Sequence, residues 1–119
     1  MVKVLLVFTG GGLGSVGRFA LGEMVKRMGF ASVFPWATLC ANVVACLIFA
    51  VVVYFLKDKL GNNSVLLLTT GFCGGLSTFS TFSYETIDLF NRQLYTTGAV
   101  YVLASLFVCF GCILLVSKM

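Results

Sequence analysis

Four long apolar runs, parted by short polar breaks, account for nearly the whole chain. The first extends from about Val2 to Val25 and stops at Lys26–Arg27. The second begins after Pro35, a residue suited to the first turn of a helix, and ends at Leu56 before Lys57–Asp58–Lys59. Gly61–Asn62–Asn63–Ser64 then reads as a turn and a helix start. The third run goes from about Val65 to Leu89 and the fourth from about Tyr95 to Val116, with Asn91–Arg92–Gln93 between them. A helix needs about 20 residues to cross hydrocarbon, so each run predicts one membrane span, over about 2–25, 35–56, 65–89 and 95–116. Short connections make neighbouring helices antiparallel. The expected fold is therefore an all-α, four-helix membrane protein, residues 1–119 forming a single integral membrane domain. Lys3 followed by an apolar run has the form of a signal peptide, but no small-residue cleavage site ahead of a soluble domain follows it, so it is read as the first span.

Composition agrees. The 119 residues are 60% hydrophobic and 10% charged, with a mean hydropathy of +1.07, whereas soluble domains average roughly 25% charged residues. So few polar groups exclude an ordinary cytosolic enzyme, a disordered tail and a nucleic-acid-binding module. The chain has no histidine, which removes the commonest general base and metal ligand. Its five cysteines all lie within apolar runs and read as small hydrophobes rather than a disulfide framework.

The net charge of +4 matters less than its distribution. With both termini on one side of the membrane, that side carries Lys3, Lys57, Lys59 and Lys118. The other carries Lys26, Arg27 and Arg92, with Arg18 near the same end of the first span. Four against four leaves the positive-inside rule almost no bias. The expectation is a chain that inserts both ways up and forms an antiparallel two-fold dimer. The helix faces favour association. Gly10, Gly14, Arg18 and Gly22 recur every four residues and make a stripe where another helix can approach closely. Thr38, Asn42 and Cys46 share a face of the second span, and Thr97, Tyr101, Ser105 and Cys109 a face of the fourth.

Two motifs are decoys. Gly12-x-Gly14-x-x-Gly17 matches a dinucleotide-binding fingerprint, but that requires a βαβ unit and an acid about 20 residues on, and no acid lies between Glu23 and Asp58. Cys109-x-x-Cys112 lacks the second pair or histidine that a zinc site needs and reads as packing. Asn42 has two readings: a hydrogen bond between helices, or an NH2 donor to an anion in a pore.

The third run carries the most chemistry. Gly74–Gly75 weakens the helix, and a broken membrane helix leaves backbone groups that are tolerated only in protein or beside a cavity, where they often coordinate ions. Freed carbonyls there suit a hard cation. Ser77-Thr78-Phe79 is repeated as Ser80-Thr81-Phe82. The spacing puts Phe79 and Phe82 on one face and Thr78 and Thr81 on another. Ring edges are positive, so two of them can line an anion's path; they serve equally as packing residues, with the hydroxyls bonded back to their own helix. Arg18 and Glu85 fall toward the same membrane face, which suggests an ion pair; the alternative is that Arg18 snorkels to headgroups.

These residues resemble the small dual-topology fluoride channels of the Fluc (CrcB-type) family. The resemblance rests on Gly71-Phe72-Cys73-Gly74-Gly75-Leu76-Ser77-Thr78-Phe79-Ser80-Thr81-Phe82, on Gly17-Arg18-Phe19 and on Thr38-Leu39-x-x-Asn42. It implies an inverted homodimer in the bacterial inner membrane with two fluoride pathways, exporting cytoplasmic fluoride passively and giving fluoride resistance. It also implies a structural sodium ion (Na+) at the dimer centre, held by the backbone carbonyls of Gly74 and Ser77. Asn42, Phe79 and Phe82 match the family's pore residues; Thr81, Tyr101 and Ser105 match its polar track; Arg18 and Glu85 are charges near a pore end. There are departures. The family usually has Thr at Ser77 and commonly Gly at Ala37 and Ala45, and Cys109 stands where a further hydroxyl is expected. The main competitor is a small dual-topology proton-coupled multidrug exporter. That mechanism needs an acid deep in a membrane helix, and the first span has none before Glu23. A non-conducting assembly subunit would leave Asn42 and the Phe79/Phe82 repeat with packing alone. No nucleophile–base constellation points to an enzyme.

Overall fold

A computed structural model describes residues 1–29 and 33–119. Every regular element in them is helical. α1 spans Val2–Arg27. α2 spans Trp36–Val51 and continues as a π-helical stretch, Val52–Leu56. The third span is assembled from α3 (Asn62–Leu66), a second π-helical stretch (Leu67–Cys73), α4 (Gly74–Leu76) and α5 (Phe79–Asn91). α6 spans Tyr95–Lys118. Among the described residues four helical stretches are long and apolar enough to cross a bilayer: Val2–Arg27, Trp36–Leu56, Asn62–Asn91 and Tyr95–Lys118. This is a multi-pass membrane protein.

The packing inverts that of a soluble bundle. Small and polar residues face inward, and large apolar ones face out. α1 buries only Gly10 and Gly14, while Phe8 and Phe19 on it are largely exposed. The central cluster is Ala41, Ala45, Cys73 and Leu76, edged by Leu21, Ile48 and Phe72. Backbones come close because side chains are missing. A methyl on Gly10 would lie 2.5 Å from the Leu67 carbonyl oxygen. One on Gly14 would strike the Phe72 carbonyl, and one on Gly75 the Gly11 carbonyl. The small-residue stripe of α1 is thus a seam against the first half of the third span. Gly22 does not belong to it: a methyl there meets nothing within 4 Å. Ala45 sits buried in the central cluster, so its methyl, where the resemblance implies glycine, is accommodated.

The third span is broken, and the break itself falls just past the glycine pair. Gly74–Leu76 are helical, whereas Ser77 (φ −80°, ψ 153°) and Thr78 (φ −151°, ψ 119°) are extended. Helix resumes at Phe79 with Thr78 as its N-cap. A tight turn joins α5 to α6. Gln93 takes a positive φ of 63°, and Arg92 pairs with Asp88 at 3.1 Å.

Candidate functional site

The break is held open by side chains. In an unbroken helix the Thr78 amide would bond to the Gly74 carbonyl and the Thr81 amide to the Ser77 carbonyl. Here the Thr78 amide donates to Asn42 Oδ1 on α2 at 2.9 Å. The Thr81 amide donates to Thr78 Oγ1 at 3.2 Å, an N-cap bond. Two amides are diverted, and the two carbonyls they would have served are released. Those two belong to Gly74 and Ser77, which the family resemblance implies as cation ligands; the Gly75 and Leu76 carbonyls lose their i+4 amides across the same break. Hard cations take oxygen ligands, so the donor set fits. The Gly75 carbonyl between them accepts from Arg18 Nε at 3.3 Å.

Asn42 can now be oriented. An N–H donates to it, so its oxygen faces Thr78 and its NH2 group remains a donor. The interhelical bond expected of an amide in a membrane span is real, and it leaves the donor half of the side chain available. Asn42 lines a cavity of about 220 Å³ together with Ser77, Thr78, Phe79, Phe82 and Ser105. The Ser105 hydroxyl is the one buried side-chain polar atom without a hydrogen-bond partner among the described residues. Buried polar groups are nearly always paired, so this unpaired hydroxyl in the cavity wall is the site's least conventional feature. The rings of Phe79 and Phe82 lie 5.8 Å apart, inclined at 49°. Phe82 in turn lies 5.1 Å from the ring of Tyr101. Phe79 and Phe110, which also line the cavity, are largely exposed, so this wall faces outward.

Tyr101 is fully buried. Its hydroxyl donates to Glu85 Oε1 at 2.9 Å. Thr38, absent from the expected site, is buried on α2. The expected Arg18–Glu85 ion pair is not formed within the chain. Arg18 reaches the Gly75 carbonyl, Glu85 is engaged by Tyr101, and the ion pairs among the described residues are Lys26–Glu23 and Arg92–Asp88. Thr81 also parts from its neighbours. It lines a second cavity of about 380 Å³ with Arg18, Glu23, Lys26, Ala37 and Thr38, which Phe82 does not line. The structure therefore joins Asn42, Phe79, Phe82 and Ser105 in one space. It sets Thr81 and Arg18 in another and links Tyr101 to the first through Phe82.

The sequence matches the family described as "CrcB-like protein, Camphor Resistance (CrcB)" over residues 5–117. A "Fluoride-specific ion channel FluC" of Rhizobium etli is 44% identical over 108 residues, covering 88% of this chain and 85% of its own. One of Phocaeicola vulgatus is 41% identical over 107 residues, covering 88% and 87%. One of Gloeothece citriformis is 37% identical over 108 residues, covering 90% and 87%.

Proposed function

This chain belongs to the CrcB-like family, and from that premise we propose that it is a passive, fluoride-selective channel that exports cytoplasmic fluoride and confers resistance to it. The observation within the molecule that carries this reading is Ser105, whose buried hydroxyl has no partner, in the wall of the same cavity as Asn42, Phe79 and Phe82. Fluoride is small and strongly hydrated. To pass, it must exchange water for other donors without being held. The Asn42 NH2 and the Ser105 hydroxyl supply two neutral donors, and the edges of Phe79 and Phe82 supply weakly positive rims. None is a fixed charge, so an ion that enters can leave. No covalent step is involved, and no residue is assigned a catalytic role.

The functional unit in this reading is an inverted homodimer in a bacterial inner membrane. Equal numbers of Lys and Arg at the two ends support insertion in both senses. The outward-facing rings of Phe79 and Phe110 support a second copy that completes the cavity wall. In that dimer the Gly74 and Ser77 carbonyls of both copies would hold a structural sodium ion, which supplies positive potential that favours anions. Arg18 and Lys26, beside the larger cavity, suit the gathering of anions at one mouth. Thr81, Tyr101 and Ser105 extend the polar track, and Glu85 serves by fixing Tyr101.

The test is fluoride efflux from liposomes containing the purified protein, with chloride as the control ion. Fluoride is expected to leave and chloride to stay, with efflux falling in Phe79→Ile and Phe82→Ile. Efflux indifferent to both substitutions removes the rings from the path. A proton flux driven by a drug gradient would instead mark an exporter.

A further inference from the structure

Two thiols share the wall of the Asn42 cavity. Cys46 lies one turn beyond Asn42 on α2, and Cys109 one turn beyond Ser105 on α6. Both line that cavity with Phe79 and Phe82. α2 and α6 pack against each other, which sets the two thiols on adjoining helices around one small space. Both are free and partly exposed. Packing alone does not call for two thiols on the wall of one cavity, since alanine or valine would fill the same space.

The chemistry of the pair selects its ligand. Sulfur takes soft cations. Among the described residues no group of three or more His, Cys, Asp or Glu is placed to hold a metal. Zinc, which needs three or four protein ligands, is therefore not served, and a linear, two-coordinate ion is. Charge narrows the choice. Two thiolates around a monovalent ion such as Ag+ leave a net negative charge inside the bilayer, which is costly. Two thiolates around Hg2+ leave none.

We infer that Cys46 and Cys109 form a two-coordinate site for a soft divalent cation of the mercuric type, and that filling it closes the adjoining cavity to fluoride. The step is a ligand exchange. Each S–H bond breaks, its proton leaves to water, and the sulfur electron pair forms an S–Hg bond; one Hg2+ gives one neutral bis-thiolate and two protons, and nothing is oxidised. Closure, unlike binding, rests on the channel reading above, because the metal and its two side chains would occupy the space beside Ser105.

Binding and closure are measured separately. Purified protein is titrated with HgCl2 while free thiols are counted with a thiol-reactive dye. The expected first step consumes two thiols for one Hg2+ per chain. It survives Cys40→Ala and Cys112→Ala and disappears in Cys46→Ala and in Cys109→Ala. The same additions to liposomes are expected to bring fluoride efflux down to the protein-free leak, with recovery on adding dithiothreitol; Zn2+ at equal concentration has no effect. Block is scored against each variant's own metal-free rate, so a variant of altered conductance remains informative. A two-thiol step that persists without Cys46 and Cys109, or that is lost with Cys112, overturns the site. Efflux that continues unchanged with the two thiols bridged overturns the closure. A protein that carries no fluoride even without metal sinks the channel reading and the closure with it, while the thiol count still decides the site.

Discussion

Replacing Asn42 with aspartate separates its two jobs. The side-chain oxygen caps the Thr78 amide at 2.9 Å, and the NH2 group is the donor left for the cavity. A carboxylate keeps the acceptor and removes the donor. The cap survives, charge-assisted, so the break and the fold should persist. The effect on an anion can be worked from the cavity's size. A sphere of about 220 Å³ has a radius of about 4 Å, and at that distance two like unit charges repel by about 4 kcal/mol at an effective dielectric of about 20. That corresponds to a roughly 1,000-fold loss of fluoride occupancy. Asn42→Ala should behave differently. It leaves the Thr78 amide without its acceptor, at a cost of about 1–3 kcal/mol, so stability and flux fall together. The assays are fluoride efflux from liposomes and thermal unfolding in detergent, at pH 7. The expected pattern is a stable, non-conducting Asn42→Asp and a destabilised Asn42→Ala. An Asn42→Asp protein that is well folded and conducts within tenfold of its parent would refute the assignment of the NH2 group to the ion path.

Other substitutions follow the same logic. Ser105→Ala removes a hydroxyl that has no partner, so fluoride efflux should fall with no loss of thermal stability; a drop in melting temperature would show that the hydroxyl is structural. Gly14→Ala drives a methyl into the Phe72 carbonyl and should cost about 1–3 kcal/mol by overpacking. Gly12→Ala, which meets nothing within 4 Å, should be neutral or stabilise by up to about 1 kcal/mol through helix propensity; thermal unfolding of the pair distinguishes a seam from a merely glycine-rich helix. Changing Lys57 and Lys59 to Gln leaves two positive charges against four and should fix one orientation. Loop labelling would then find a single topology, and efflux should return only when a chain with Lys26→Gln and Arg27→Gln is co-expressed.

The four spans were legible because lipid makes a simple demand: each apolar run had to be long enough to close its own hydrogen bonds across the hydrocarbon. Observed ends fall within about three residues of the expected ones. The α1 seam was legible at Gly10 and Gly14, since spacing alone puts them on one face. Gly22 shares that spacing but not a neighbour, which spacing cannot show. Propensity is weakest at Gly74–Gly75, which predicts a break near them. It lies at Ser77–Thr78 because an acceptor 36 residues away, Asn42, takes the Thr78 amide, and Thr78 then caps the next helix. Gly75 stays helical and serves the seam. Spacing puts Phe82 and Thr81 on different faces, since adjacent residues on a helix point about 100° apart, and they line different cavities. Arg18 was matched with Glu85 by charge, whereas a freed backbone carbonyl lay nearer. The π-helical stretches had no sequence signal, because α and π turns draw on the same residue preferences.

The Asn42–Thr78 bond also imposes an order of events on biosynthesis. The third hydrophobic stretch cannot finish itself in lipid, since the amide at its interruption has its acceptor on the second. The ribosome delivers that acceptor first. When the interruption emerges, its mate is already embedded and waiting, so vectorial synthesis alone protects the chain from exposing a bare N–H to acyl tails. A circular permutant that placed the third stretch ahead of the second would lose this protection and should be cleared by membrane proteases before it assembles.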